Sequence, residues 1–417
     1  MADEPDPKAT GDKATGGRVA GPVRQGAPMT PGLKAAVAQA AALNAAAPWI
    51  AEARRAERAG DLAGALEALS RGVTAQPQNP VLLTRYAMRL RAAGRFIDSI
   101  AVMRRAQSTT PDDRLVLLEL GTSLRLDFRV DEALRLHEGL TRRYADDVEV
   151  VSAWALDVAL AGDPERGVDR AMALVAVHRN RLDLSIVLAR ILVALGRHRE
   201  AIQRVREVLG RVPRAYSGWI VLAAAARGAG WDEELAEATA NAVKLSERLA
   251  QTQHLRGEAA ERRGDPDEAR WWYREALSTH ARHYPSSLAL GRLHGRAGEM
   301  DAARDRLREA AAVGGWDGRA RGTWLRFRMA MGDPGLALDR AESDASRHPY
   351  SGLALQIGRI HLDVRKDAAA AVLWLRRAAE HAPDDPRAWR WYARAAVLAG
   401  RGEEAVRAER RLIELDV

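Results

Sequence analysis

The stretch "GDPDEARWWYREAL", residues 264–277, combines a glycine turn, several acidic residues and a pair of tryptophans. Its first three letters also occur at Gly162 and Gly332, so that the three copies lie 102 and 68 residues apart. Both spacings are multiples of 34, and self-similarity at a fixed period of this size is typical of repeat architectures. The segment is therefore interpreted as one copy of an internal repeat and not as an isolated site.

The 34-residue period divides the chain from Ala46 into eleven units without an insertion. The units begin at residues 46, 80, 114, 148, 182, 216, 250, 284, 318, 352 and 386. A chain of 417 residues is too long for one ordinary compact domain of roughly 100–200 residues, and an elongated array explains that length.

Equivalent positions of the units carry residues of the same kind. The fifteenth residue is glycine in nine of the eleven units, as expected where a helix ends in a left-handed residue, and Phe128 and Lys366 are the exceptions. The eighth residue is small except at Leu325 and Arg359, and the twentieth is small except at Leu235. Two small residues on facing helices let the backbones approach closely, so each unit is predicted to be a helix hairpin.

This pattern resembles the tetratricopeptide repeat family over residues 46–417. The resemblance implies an all-α fold, a right-handed superhelical solenoid of about eleven helix–turn–helix repeats. It also implies that the first helix of each repeat lines a concave groove. Residues 33–45 are predicted to form a short N-terminal capping helix, and residues 1–32, rich in Pro, Gly and Ala, a disordered tail.

The opening segment fits this scheme. Gly264 is predicted to end a helix, and the acids from Asp265 to Glu268 to form the turn and the first helical turn, where the macrodipole favours negative charge. Ala269 is the small packing residue and Tyr273 an inward anchor, whereas Trp271 is left on the outer face.

Composition excludes several classes of protein. The absence of cysteine excludes disulfides and thiolate metal sites, and it fits a cytoplasmic protein. No run of 18 apolar residues occurs, so no membrane insertion is expected. No catalytic or nucleotide-binding motif is present, and we expect neither enzymatic activity nor a cofactor nor a metal. His280, His283 and His294 have a ligand-like spacing, but we interpret them as solvated or hydrogen-bonded side chains.

The predicted groove is strongly basic. In the family, positions 2, 5, 6, 9, 12 and 13 of the first helix face the groove, and here they hold fifteen arginines and seven acids. The excess of eight equals the formal net charge of the whole chain, +8. We expect these side chains to contact a partner: Arg54, Arg58, Arg85, Arg91, Arg125, Arg190, Arg227, Arg292, Arg296, Arg326, Arg387, Arg390, Trp391 and Arg394.

The leading hypothesis is a protein–protein interaction scaffold or adaptor that binds an extended acidic peptide or partner protein in this groove. One alternative is an RNA-binding protein, although acids interrupt the positive wall. Another is a non-catalytic accessory subunit of a glycosyltransferase, secretion or pilus assembly. The arginine bias also has a plain explanation in GC-rich genome composition, and arginine stems at helix edges cover apolar neighbours. The sequence leaves the oligomeric state open.

Overall fold

The structure, a computed structural model, describes residues 31–59, 61–314, 317–331, 336–347 and 352–415. Residues 1–30 of the predicted tail and the turn residues Gly60 and Gly332 lie outside them. The chain divides into two compact units, Met1–Ala45 and Ala46–Val417. One helix, α1, covers Pro31–Arg58 and so includes the predicted cap as well as the first helix of the first repeat. The division into cap and array stays a prediction.

Every regular element in the described ranges is helical. Odd-numbered helices are the first helix of each repeat and even-numbered helices the second. The helices are α1 Pro31–Arg58, α2 Leu62–Ala75, α3 Pro80–Ala92, α4 Phe96–Thr109, α5 Arg114–Leu126, α6 Val130–Arg143, α7 Val148–Leu160, α8 Pro164–Val177, α9 Leu182–Ala194, α10 His198–Arg211, α11 Tyr216–Ala229, α12 Asp232–Leu245, α13 Ala250–Arg262, α14 Pro266–Thr279, α15 Tyr284–Arg296, α16 Met300–Val313, α17 Gly318–Ala330, α18 Leu336–Arg347, α19 Leu353–Ile360, α20 Ala368–His381, α21 Pro386–Leu398 and α22 Gly402–Glu414.

Helix ends follow the local chemistry of the repeat. Gly264 has φ +79°, and the Asp265 side chain accepts a hydrogen bond from the Glu268 amide to begin α14. Phe128 and Lys366 keep the same turn with φ +61° and +58°. A side chain disfavours this conformation by roughly 1–2 kcal/mol. At Phe128 the ring contacts with His280 and Tyr284 help to hold the turn in place.

Consecutive helices pack in pairs through the eighth residue of the first helix. A Cβ on Gly257 would lie 2.5 Å from the ring of Tyr273, and one on Gly121 would lie 2.3 Å from that of His137. In both pairs the partner on the second helix follows 16 residues later. Tyr273 is fully buried and Trp271 is 55% exposed, as expected for the opening segment.

The tenth repeat departs from this register. Here Gly358, not the eighth residue Arg359, meets the second helix, since its Cβ would lie 2.5 Å from Leu375 Cγ. Leu375 follows Gly358 by 17 residues, one more than in the other pairs, and a π-helical turn at His361–Arg365 absorbs the extra residue. The assumption that the 34-residue register continues without a slip was wrong in this repeat.

Successive turns of the array contact each other. Asp127, which ends α5, accepts hydrogen bonds from His280 at 3.0 Å and Arg282 at 3.2 Å, more than 150 residues along the chain. The Phe128 ring stacks on His280. Farther along, the Arg199 amide donates to the Asp384 carboxylate at 3.2 Å. These contacts join distant repeats and surround the space in front of the first helices.

No helix in the described ranges contains an apolar stretch long enough for a bilayer crossing.

Candidate functional site

Residues from α3 through α21, most of them on first helices, line a cavity of about 1950 Å³. Small-molecule pockets typically measure about 300–1,000 Å³. The cavity therefore has room for a segment of polymer chain.

The cavity wall is cationic. Among the described residues that line it, fourteen are arginines and six are carboxylates, and none is lysine. The arginines are Arg89, Arg91, Arg125, Arg129, Arg135, Arg190, Arg227, Arg282, Arg292, Arg296, Arg319, Arg326, Arg359 and Arg387. A low-dielectric concavity lined by one sign of charge concentrates the field that attracts oppositely charged ligands.

Nine of the fourteen side chains predicted to contact a partner line this cavity. These nine are Arg91, Arg125, Arg190, Arg227, Arg292, Arg296, Arg326, Arg387 and Trp391. The other five lie outside its lining: Arg54, Arg58, Arg85, Arg390 and Arg394. Arg54 and Arg85 nevertheless lie close together. Burial lowers the pKa of Arg85, and the charge of Arg54 lowers it further.

Most of the lining arginines already have a carboxylate partner in the chain. Arg227 pairs with Glu258 at 2.6 Å, and Arg296 pairs with Glu261 at 2.9 Å. Similar pairs hold Arg91 to Glu119 and Arg387 to Asp385. Such pairs fix the guanidinium in one geometry, but they also neutralise its charge.

Arg125 belongs to a buried network. Its Nη1 donates to Asp157 Oδ1 at 2.7 Å, and the other oxygen of Asp157 accepts from His137 Nδ1 at 2.5 Å. His137 Nε2 contacts the Leu118 carbonyl at 3.1 Å. Both ring nitrogens of His137 therefore face acceptor oxygens. These hydrogen bonds connect His137, which packs between α5 and α6, to Arg125 in the cavity lining.

A second group of lining arginines forms no ion pair with any residue that the structure describes: Arg135, Arg190, Arg292, Arg326 and Arg359. Burial, with help from Arg125, lowers the pKa of Arg190 to about 10. Burial and the charges of Arg359 and Arg292 lower the pKa of Arg326 to about 10, against the opposing effect of Asp363. Arg190 and Arg326 therefore stay charged near neutral pH, and a bound anion would relieve the repulsion between Arg326 and its neighbours Arg292 and Arg359.

Trp391 lies in the cavity wall between two cations. The guanidinium of Arg359 lies 4.5 Å from the centre of its ring, and that of Arg394 lies 5.1 Å away. Cation–π contacts of this kind orient planar guanidinium groups. They join α19 to α21 at the cavity surface.

The histidines with ligand-like spacing have other partners. His280 bonds Asp127, and His283 contacts the Ser286 hydroxyl at 2.9 Å and the Gln251 amide oxygen at 3.1 Å. His294 pairs with Glu299. Within the described ranges no group of three or more His, Asp or Glu side chains is placed to hold a metal ion.

The helix hairpins and their 34-residue spacing agree with a family model. The model of the tetratricopeptide repeat matches residues 186–251 and 355–416. The chain is a tetratricopeptide repeat protein. No curated protein matches the sequence.

Several solved structures are similar to this tetratricopeptide repeat protein. A tetratricopeptide repeat protein from Parabacteroides merdae is 16% identical over 60% of this chain and 98% of its own, with a TM-score of 0.42. The Cut9–Hcn1 hetero-tetramer of the APC/C is 12% identical over 88% and 86%, with a TM-score of 0.43. A human IFIT1 dimer with PPP-AAAA is 14% identical over 88% and 89%, with a TM-score of 0.46.

Six arginines that line the cavity of this tetratricopeptide repeat protein are absent from the predicted set: Arg89, Arg129, Arg135, Arg282, Arg319 and Arg359. The slip in the tenth repeat explains why Arg359 was missed. Among the lining residues of repeat 10 are Gly352, Leu355, Gln356 and Arg359, and among those of α15 are Pro285, Leu288, Ala289 and Arg292. Each residue of the first set follows its counterpart by 67 positions, one fewer than two full repeats. A local signal was present, because "GRLH" at residues 291–294 returns as "GRIH" at 358–361.

Proposed function

We propose that this tetratricopeptide repeat protein is an interaction scaffold that holds an extended acidic segment of a partner protein inside its arginine-lined cavity. The observation that carries the proposal is the group of five lining arginines that form no ion pair with any described residue: Arg135, Arg190, Arg292, Arg326 and Arg359. Guanidinium groups bind carboxylates in paired hydrogen bonds, so an acidic chain matches this wall in both charge and geometry.

The size of the cavity supports a chain as the ligand. A volume of about 1950 Å³ is roughly twice that of the largest usual small-molecule pocket. The lining also carries polar side chains, including those of Ser217, Thr323 and Gln356, that offer partners to a peptide backbone.

The aromatic lining favours a peptide over a single-stranded nucleic acid. Sequence-tolerant binding of single strands uses exposed aromatic faces on which bases stack. Here Phe128 stacks on His280, and Phe327 stacks on Trp324. The Trp391 ring is already in contact with two guanidinium groups.

Binding of a labelled glutamate-rich peptide, followed by fluorescence anisotropy, tests the proposal. We expect saturable binding that weakens as the salt concentration rises. A neutral peptide of equal length should not bind, and an equally charged single-stranded oligonucleotide should compete poorly with the glutamate-rich peptide. The double variant Arg292→Gln/Arg326→Gln should weaken it strongly. The control is Arg206→Gln, which removes an arginine paired with Glu237 outside the cavity lining. Preference for the oligonucleotide, or equal loss with the control, would overturn the proposal.

A further inference from the structure

Contacts between distant repeats run beside the cavity. The carboxylate of Asp127, between α5 and α6, accepts a hydrogen bond from His280, between α14 and α15, at 3.0 Å. The Arg199 amide, at the start of α10, donates to Asp384, between α20 and α21, at 3.2 Å. Each contact therefore joins the turn inside one repeat to a junction between two repeats, 153 or 185 residues farther along the chain.

Three turn glycines make close contacts of the same kind. A Cβ added to Gly94 would lie 3.2 Å from Leu249 Cδ2, and one added to Gly196 would lie 2.6 Å from Ala382 Cα. By comparison, even hydrogen-bonded backbones stay about 4.7–4.9 Å apart. No polypeptide chain passes through gaps that scarcely admit a methyl group. We name the five contacts the seam: Gly94–Leu249, Asp127–His280, Gly196–Ala382, Arg199–Asp384 and Gly230–Pro386.

The seam forms part of the cavity wall. Residues on both of its sides line the cavity, namely Gly94, Phe128 and Gly196 on one side and Leu249, His280 and Ala382 on the other. A chain that approached the cavity from the side, at repeats 2, 3, 5 or 6, would have to part these contacts before it reached the cavity arginines. A chain that entered by one end would part none of them.

The seam is strongest at Asp127. Its side chain is 2% exposed, and it pairs with Arg282 at 3.1 Å as well as with His280. The neighbouring Phe128 ring stacks on His280 and meets the Tyr284 ring edge-on, with 4.8 Å between the ring centres. Phe128 stands where most repeats have glycine, and these ring contacts cross the seam. Because hydrogen bonds to a charged group are among the stronger ones, the seam should stay closed in most molecules.

We propose that the seam closes the cavity along its side, so that the acidic segment of a partner enters by a free end and belongs to a chain terminus and not to an internal loop. This inference rests on the proposed binding of an acidic chain in the cavity and adds the kind of segment and its route of entry.

Blocking the ends of a peptide tests the route of entry. A glutamate-rich peptide carries a dye at its centre, flexible glycine–serine spacers, and biotin at the first end, the second end, both ends or neither. Monovalent streptavidin holds biotin almost irreversibly and is far too large for a cavity of about 1950 Å³. The association rate constant of each peptide is measured by stopped-flow fluorescence.

At least one of the singly blocked peptides should associate nearly as fast as the unblocked peptide. The doubly blocked peptide should associate about 10–1,000-fold more slowly, because sideways entry needs an open minor state, and such states are populated at roughly 0.1–10%.

A variant of the seam separates a closed side from a simple clash with streptavidin. Asp127→Ala/Asp384→Ala removes both polar contacts of the seam and no residue of the cavity lining. It should speed association of the doubly blocked peptide. The matched control, Asp112→Ala/Asp267→Ala, removes two exposed carboxylates with the same change of charge and should leave the slow rate unchanged. Circular dichroism and melting curves check that both variants are folded.

Each contrary result has its own meaning. Equal association of singly and doubly blocked peptides would overturn entry by a free end while leaving the binding of acidic chains in place. A slow doubly blocked peptide that the seam variant does not speed up would overturn the seam as the barrier. Failure of the unblocked peptide to bind would overturn the proposed function itself.

Discussion

The substitution Gly121→Ala tests the contact that sets the register of each hairpin. A Cβ at Gly121 would lie 2.3 Å from Nε2, 2.7 Å from Cε1 and 2.9 Å from Cδ2 of His137. The ring cannot move away freely, because Asp157 and the Leu118 carbonyl hold its two nitrogens. The added methyl group must therefore displace a fully buried side chain and break its hydrogen bonds.

The expected magnitude combines three effects. Overpacking costs about 1–3 kcal/mol, and loss of hydrogen bonds to a charged group costs about 1.5–3 kcal/mol. Alanine regains about 1 kcal/mol over glycine in a helix interior. We therefore expect a net destabilisation of about 1.5–5 kcal/mol. Gly139→Ala in α6 is the control, since no atom lies within 4 Å of the added Cβ, and it should stabilise by about 0.5–1 kcal/mol.

Long repeat arrays do not unfold in two states, so the assay compares urea midpoints together with amide hydrogen exchange in α5 and α6. Gly121→Ala should lower the midpoint and speed exchange in this hairpin, whereas Gly139→Ala should raise the midpoint. If both alanines stabilise the protein equally, Gly121 is not the contact that fixes the register.

The other predictions concern the slip, the contact between turns and one buried histidine. Gly358→Val should overpack its site and destabilise the protein by about 1–3 kcal/mol, whereas Arg359→Ala should destabilise it by about 1 kcal/mol or less. A lower melting midpoint for Arg359→Ala than for Gly358→Val would contradict the slip. Asp127→Ala should remove the contact with His280 that joins distant repeats, and so raise the radius of gyration measured by X-ray scattering. Asp112→Ala, which breaks an exposed ion pair with Arg143, should leave the radius of gyration unchanged. Burial lowers the pKa of His198 to about 4, below its unfolded value of about 6.5, so the unfolded state binds the proton more readily and stability falls as the pH drops through this range. Between pH 7 and 5.5, His198 should lower the free energy of unfolding by about 1.2 kcal/mol. Over the same pH change the urea midpoint of His198→Gln should shift less than that of the wild-type protein. An equal shift in both proteins would refute the assignment to His198.

Local chemistry made most of the fold predictable. The small eighth residue, the left-handed turn and the acidic cap each act within one hairpin, so Gly257, Gly264 and Asp265 indicate their structural roles directly. The opening segment shows this, because Tyr273 is buried and Trp271 is exposed as predicted. The resemblance to tetratricopeptide repeats was confirmed by the family model.

The features that were missed depend on a local change of helix register and on contacts between distant repeats, and the 34-residue period predicts neither. The one-residue slip hid Arg359, because a π-helical turn restores the register before the next helix. The contacts of Asp127 with His280 and of Arg199 with Asp384 join residues 153 and 185 positions apart, and their formation depends on the curvature of the whole array. Pairing of cavity arginines with in-chain acids is likewise a three-dimensional property.

The location of a bound acidic chain can be measured directly by photo-crosslinking. A glutamate-rich peptide that carries a photoreactive group is irradiated with the protein, and the modified residues are mapped by mass spectrometry. The cavity account predicts crosslinks on the first helices α15, α17, α19 and α21. Crosslinks confined to the second helices α8, α12 and α22, which contribute no lining residue among the described ranges, would contradict it.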